Sequence, residues 1–195
     1  MSGDVPVRFC ERLGVRLPRA THRVICCRGR GEQVLATMRN MMQRLRLTVN
    51  ESKTRVCKLP EEKFDFLGYT FGRCYSPQTG RAYLGTTPSK QRVKRMRAAI
   101  SQATRRSQTQ QAVEVLVARL NREIIGWANY FCLGPVSKAY RAVDQHTRRR
   151  LRQWLGAKHK LPGPGTARYP DDLLHDEFGL VRLAPRTASL PWATP

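Results

Sequence analysis

Acidic residues are scarce in this chain: 14 Asp and Glu stand against 36 Lys and Arg, for a net charge of +22. That excess is far beyond what solubility needs and points to a polyanionic partner, either nucleic acid or an acidic membrane surface. Paired metal ligands are missing too. Cys10, Cys26, Cys27, Cys57, Cys74 and Cys132 include no Cys-x-x-Cys pair, and His22, His146, His159 and His175 stand apart from them. Zinc sites in small domains bring their ligands at short spacing, so no metal site is expected and the thiols read as reduced and structural. Cys26 and Cys27 are expected on opposite faces of a strand. No stretch approaches the roughly 18 consecutive apolar residues of a membrane span. The opening MSGDVPVRFCERLGVRLPRA has no apolar core of a secretory signal. A cytoplasmic protein with no membrane partner is the expectation. What is present is enough apolar material, 41%, to build a core, in 195 residues that suit one ordinary domain or two small ones.

Along the chain, residues 1–23 are arginine-rich and aperiodic and are expected to be unstructured. Val24 to Cys27 suits a strand. Glu32 to Leu45 has a helical stripe of Val34, Leu35, Met38, Met41, Met42 and Leu45, which reads as core packing. Short strands are expected at Leu47–Val49 and Thr54–Leu59, and FDFLGYTF, Phe64 to Phe71, alternates aromatic and small residues, with Gly68 read as allowing a close backbone approach. The turn signal SPQTG, Ser76 to Gly80, pairs Leu67–Tyr75 with Arg81–Gly85 as a hairpin.

From Thr87 the pattern becomes helical. Thr87-Pro88 reads as a cap followed by proline at the first helical position. Val93, Met96, Ile100 and Ala103 form the apolar stripe of a first helix. After a polar break at Gln108–Gln111, a second helix over Ala112–Leu133 places Leu116, Leu120, Ile124, Trp127 and Phe131 at spacings of three and four. Gly134-Pro135 ends it. A third, over about Ser137–Lys158, turns Tyr140, Val143, Thr147, Leu151, Trp154 and Leu155 inward. Three amphipathic helices with short links pack as a bundle. The fold class is therefore α+β: a β-rich segment over 24–86, a three-helix basic bundle over 87–160, and a Gly/Pro linker with a docking tail over 161–195.

Between Pro88 and Lys160 there are 17 basic and 3 acidic residues. The apolar stripes fill the inside, so the cations cover the outside. A run of charge is usually a solvated face, but such faces mix signs, and here the acids are nearly gone. A rigid bundle with this exterior is a phosphate-binding surface. Its candidate contacts are Lys90, Arg92, Lys94, Arg95 and Arg97 on the first helix and Arg119 and Arg122 on the second. The third supplies Lys138, Arg141, Arg148, Arg149, Arg150, Arg152, Lys158 and Lys160. Arg148, Arg149, Arg150 and Arg152 are close enough in sequence to engage one nucleic-acid backbone, and replacing the first three by Gln is expected to weaken binding with little change in melting temperature.

Charge alone does not choose between RNA and DNA. The run LNREIIGWANYFCLGPVSKAYRAVDQHTRRRLRQWLGAKHK, Leu120 to Lys160, resembles the maturase-specific segment of bacterial group II intron reverse transcriptases. The resemblance is carried by Leu120-Asn121-Arg122, by Gly126-Trp127-Ala128-Asn129-Tyr130-Phe131, and by Tyr140 and Asp144 ahead of the basic cluster. Upstream, LTVNESKTRV and FDFLGYTFG resemble the last palm segments of the same enzymes, and FGLVRLAPRTASLPW resembles their C-terminal end. The family implies a thumb and maturase region that clamps structured intron RNA and holds template and primer. Trp127, Phe131 and Trp154 read as fixing the helix packing, so that the arginines are held at set positions, while Asn129 and Tyr130, off the main stripe, are candidates for direct contact with RNA, with Tyr130 as a partly buried core residue the alternative.

The same resemblance marks a gap. Family members carry a Tyr-Ala-Asp-Asp motif just before the strand that here reads VICC, and its aspartates hold a Mg²⁺ pair. The aligned positions are Arg19, Ala20, Thr21 and His22, of which only the alanine matches. Thr21 and His22 do not replace carboxylates for a hard cation. The expectation is a chain without a cofactor of its own, Mg²⁺ belonging to complete family members, and without the fingers and most of the palm. Lys53 matches the family's Asn-x-x-Lys-Thr pattern, but without the rest of the palm it reads as an ordinary turn lysine. The leading reading is an RNA-binding maturase fragment. The alternatives are a subunit that completes a polymerase in trans with a separate fingers and palm chain, a general RNA or DNA binder, and a degenerate relic.

Overall fold

A computed structural model of the chain describes residues 6–10, 22–27, 31–51, 54–76, 78–163 and 165–190. The expectations for Lys53 and for Arg19 to Thr21 lie outside them. The chain divides into two compact units, Met1–Thr86 and Thr87–Pro195, and it is α+β.

In the first unit, Pro6–Cys10, expected to be unstructured, forms strand β1 in the middle of a three-stranded sheet. The sequence PVRFC alternates apolar Val7 and Phe9 with Arg8, the two-residue period of a strand. β2, His22–Cys26, pairs antiparallel with it in the register Val7 to Ile25, and β3, Arg55–Val56, pairs on the other edge. No strand forms at Leu47–Val49. Helix α1, Gly31–Arg44, buries Met38 and Met42 against Ile25, Leu35, Leu47, Val49 and Val56. Met41 and Leu45, placed on the same stripe by their spacing, are 50% and 60% exposed.

A second sheet orders β4, β5 and β6, which are Phe64–Phe66, Tyr69–Tyr75 and Ala82–Pro88. FDFLGYTF is therefore two strands and not one run. Phe66 pairs with Tyr69, so Leu67 and Gly68 make a two-residue turn, with φ of 50° and 87°. Positive φ at both positions is the turn that matches strand twist, and glycine is the residue that adopts it without strain. Gly68 serves the turn, in place of the expected close approach. Phe64 stacks on Phe71 at 5.2 Å across the resulting pair.

In the second unit, helix α2 spans Lys90–Ala103. Its cap is Ser89, whose hydroxyl accepts from the Arg92 N–H at 3.3 Å, and not Thr87; Pro88 ends β6 and is not the first helical residue. α3 spans Val113–Tyr130 and α4 spans Ser137–Lys158. The α3–α4 link turns at Gly134, with φ of 75°. The α2 stripe, Met96, Ile100 and Ala103, meets Leu116, Leu120 and Ile124 of α3 and Tyr140, Val143, Leu151, Trp154 and Leu155 of α4 in one buried core. The Tyr140 hydroxyl donates to the Ala128 carbonyl at 2.9 Å, satisfying its polar end within that core.

The residues after Leu161 fold back onto the helices. Tyr169, Leu174, Leu180 and Leu183 are buried in the same core. Leu174 lies in a short π-helical turn over Leu173–Glu177, and Leu183 directly precedes a 3₁₀ turn over Ala184–Ser189. No helix among the described residues is long and apolar enough to cross a membrane.

Candidate nucleic-acid interface

The amphipathic pattern of α2 fixes where its cations go. With Met96, Ile100 and Ala103 inward, Lys90, Lys94 and Arg97 fall on one flank of the helix and Arg92 and Arg95 on the other. All five are exposed. None makes an ion pair among the described residues, and α2 contains no acid. Lys90 and Arg92 sit in the first turn, where the helix dipole is positive. Placing cations there is locally unfavourable, so α2 stability does not account for them.

On α3, Arg119 pairs with Glu123 one turn on, at 3.0 Å, while Arg122 is exposed. On α4, Lys138, Arg141 and Arg149 are exposed, and Lys160 follows the helix in the left-handed region with φ of 52°. Arg105 and Arg106 add two exposed cations just past α2. No helical period selects these two, because they lie in the irregular link, so the sequence offered only their charge.

The arginine cluster of α4 does not present one surface. The third helix turns Arg148 and Arg152 toward the tail, where both bond the carboxylate of Asp171; Arg152 Nε also donates to the Tyr169 carbonyl at 2.7 Å. Partial burial works to raise the Asp171 pKa, but the Arg152 hydrogen bond and the charges of Arg148 and Arg152 prevail and hold it below the usual carboxylate range. Arg150 points the other way. Its Nη2 donates to the carbonyls of Ser101 and Thr104 at 3.1 and 2.8 Å, and its Nε to Thr104 Oγ1 at 3.0 Å. It thereby closes the C-terminal end of α2, where unsatisfied carbonyls concentrate negative partial charge. Lys158 does similar work, donating to the carbonyls of Thr109 and Gln111 at 3.0 and 2.9 Å while lying over the Trp154 ring. Of the four clustered arginines, Arg149 alone projects outward.

This overturns the expectation that replacing Arg148, Arg149 and Arg150 together leaves the melting temperature nearly unchanged. Arg150→Gln alone is expected to cost about 1.5–3 kcal/mol, the value of hydrogen bonds to a charged donor in a partly buried site. Urea unfolding followed by circular dichroism measures it, and an unchanged midpoint would return Arg150 to the exposed set.

The aromatic motif divides in the same way. Trp127 packs at 5.1 Å from Phe131 and 6.0 Å from Tyr140, so it belongs to the helix packing. Tyr130 is 54% exposed, which removes its reading as a core residue. Asn129 is exposed and its Oδ1 accepts from Arg186 of the tail at 3.2 Å. Asn121 and Asp144, the polar members of the motif, turn to the tail backbone. The Asn121 amide donates to Gly179 O at 2.8 Å and accepts from Val181 N at 2.9 Å, as a strand neighbour would. The Asp144 carboxylate accepts from the N–H groups of Leu183 and Ala184 at 3.0 Å, capping the 3₁₀ turn. Burial pushes its carboxyl up despite those two bonds.

Residues 93–169 match the family model for the group II intron, maturase-specific domain. Over that span the chain is similar to this domain. No curated protein matches the chain. The matched span takes in most of α2 and all of α3 and α4, and runs through the linker to Tyr169, the first tail residue buried in the helical core. Its Trp127, Tyr140 and Trp154 pack the helices, whereas the outward cations of α2 leave a surface with no packing task. Among the described residues, no group of three or more His, Cys, Asp or Glu is placed to hold a metal ion.

Proposed function

We propose that this chain binds folded group II intron RNA through the outer basic surface of its maturase domain, and that it does not polymerise DNA on its own. The observation that carries the reading is the set of outward cations without carboxylate partners among the described residues: Lys90, Arg92, Lys94, Arg95 and Arg97 on α2, with Arg122, Lys138, Arg141 and Arg149. Charge held this way on rigid helices favours a polyanion of fixed shape. Folded RNA is recognised mainly through shape, phosphates and 2′-hydroxyls, and an exposed ring such as Tyr130 can stack on an unpaired base. The absence of polymerase activity rests on the sequence, where Arg19, Ala20, Thr21 and His22 replace the motif whose carboxylates would hold Mg²⁺.

The test is a competition titration of the purified chain with a folded group II intron RNA and a scrambled RNA of equal length, at two salt concentrations. Affinity for both is expected to fall steeply with salt, because phosphate contacts release counterions. The intron is expected to win at the higher salt, where shape recognition outlasts bulk charge. Equal binding and joint release would leave a general basic binder, and flat salt dependence would remove the basic surface from the account.

A second reading, completion of a polymerase by a separate chain carrying fingers and palm, draws on the exposed apolar side chains of β5 and β6. Tyr75, Tyr83 and Leu84 are 62%, 41% and 59% exposed. Co-purification with such a chain, and DNA synthesis only in its presence, separates this reading from the first.

A further inference from the structure

A narrower site lies in the seam between α2 and α4, and it rests on the RNA-binding reading above. The two helices run in the same direction, since Arg97 meets His146, Thr104 meets Arg150 and Thr109 meets Lys158. His146 is buried in that seam at 8% exposure. Its Nε2 lies 2.9 Å from the Arg97 carbonyl and 2.8 Å from Ser101 Oγ. A carbonyl only accepts, so Nε2 carries the proton, and a neutral ring then keeps a lone pair on Nδ1. Nδ1 faces Arg149 Nη2 at 3.4 Å and accepts from it. Burial, and next the charge of Arg97, depress the His146 pKa, which agrees with a neutral ring.

A neutral imidazole therefore tethers one guanidinium, Arg149, beside the turn that bears another, Arg97. Arg150 also bears on the ring but is committed to the end of α2. No counterion is at hand among the described residues. α2 has no acid, and Asp144, the single acid of α4, is turned to Leu183 and Ala184. Like charges gathered in one seam repel, and an anion shared between them reverses the sign of the interaction.

We infer that Arg97 and Arg149 clamp one backbone phosphate of the bound RNA, with His146 as the positioning residue that aims Arg149. A phosphate presents several acceptor oxygens and suits two planar forks approaching from different helices. Arg92, on the opposite flank of α2, faces away from the seam and engages a different phosphate or none.

The salt dependence of binding to a folded group II intron RNA tests this in a double-mutant cycle. R97Q and R149Q are each expected to reduce the slope of log affinity against log salt by about 0.7–0.9, one phosphate's worth. The double variant is expected to lose the same increment once, because both arginines serve one phosphate. Losses that add to twice that value, or no loss from either, overturn the clamp. His146→Phe is expected to lower the slope as R149Q does, and to add nothing when R149Q is already present. A slope unmoved by His146→Phe, in a variant whose melting curve shows it folded, overturns the positioning role. If His146→Phe does not fold, the arginine cycle still decides the clamp, because both arginines are exposed. A wild-type chain with no salt-dependent affinity for the RNA fails the RNA-binding reading itself, and the clamp falls with it.

Discussion

A chain ending at Gly163 is expected to lose the cooperative unfolding transition of its helical unit. The residues removed include Tyr169, Leu174, Leu180 and Leu183, all buried in the core that the helices share. Burial of each such side chain contributes about 1.5–3 kcal/mol, and a whole domain is stable by only about 5–15 kcal/mol. The polar side adds to the loss. Asn121 would lose its partners at Gly179 and Val181, Asp144 would lose the N–H groups of Leu183 and Ala184, and Arg148 and Arg152 would lose Asp171. Asp144 is the most exacting of these, because a partly buried carboxylate without its donors keeps its desolvation cost. Circular dichroism on heating measures the effect. A shortened chain that melts cooperatively at the parent temperature would show that α2, α3 and α4 complete their own core.

Much of this architecture was legible because helical periodicity reports burial. Met96, Ile100 and Ala103, then Leu116, Leu120 and Ile124, then Tyr140, Val143, Leu151 and Trp154, all came out inside as their spacing required. The orientation of polar residues is not legible where their partners lie far off in sequence. Nothing near Arg148 or Arg152 announces Asp171, which follows 23 and 19 positions later, and nothing near Arg150 announces carbonyls 46 and 49 positions earlier. A run of arginines looks uniform in one dimension, although 100° per residue sends its members to different neighbours. Asn121 and Asp144 belong to the same class, since their hydrogen bonds close only when the tail returns. Gly68 after Leu67, between runs of strand formers, already had the form of a two-residue hairpin turn, and Ser89 stands directly before the first helical residue, the position that N-caps favour.

Trp154→Ala is expected to cost about 3–5 kcal/mol, the range for removing a large aromatic from a packed interior. Trp154 is 1% exposed and sits at the inner face of α4, among the largest fully buried side chains of the molecule. Its indole N–H has no hydrogen-bond partner among the described residues, so the loss is one of volume and contact and leaves no polar group stranded. Trp154→Phe, which retains a ring and surrenders a donor that bonds nothing, is therefore expected to cost much less. The effect reaches beyond the cavity because Lys158 lies 5.4 Å from the centre of the Trp154 ring while holding the carbonyls of Thr109 and Gln111. Removing the ring withdraws the surface over which that lysine crosses to the α2–α3 link. In thermal unfolding each kcal/mol corresponds to roughly 4–8 °C for a unit of this size, so the alanine variant separates cleanly from the parent. An alanine variant that melts with the parent would place Trp154 outside the core and with it the inward face of α4. That face fixes which way Arg149 points, so the melting curve of a tryptophan variant also tests the direction in which the helical unit presents its charge.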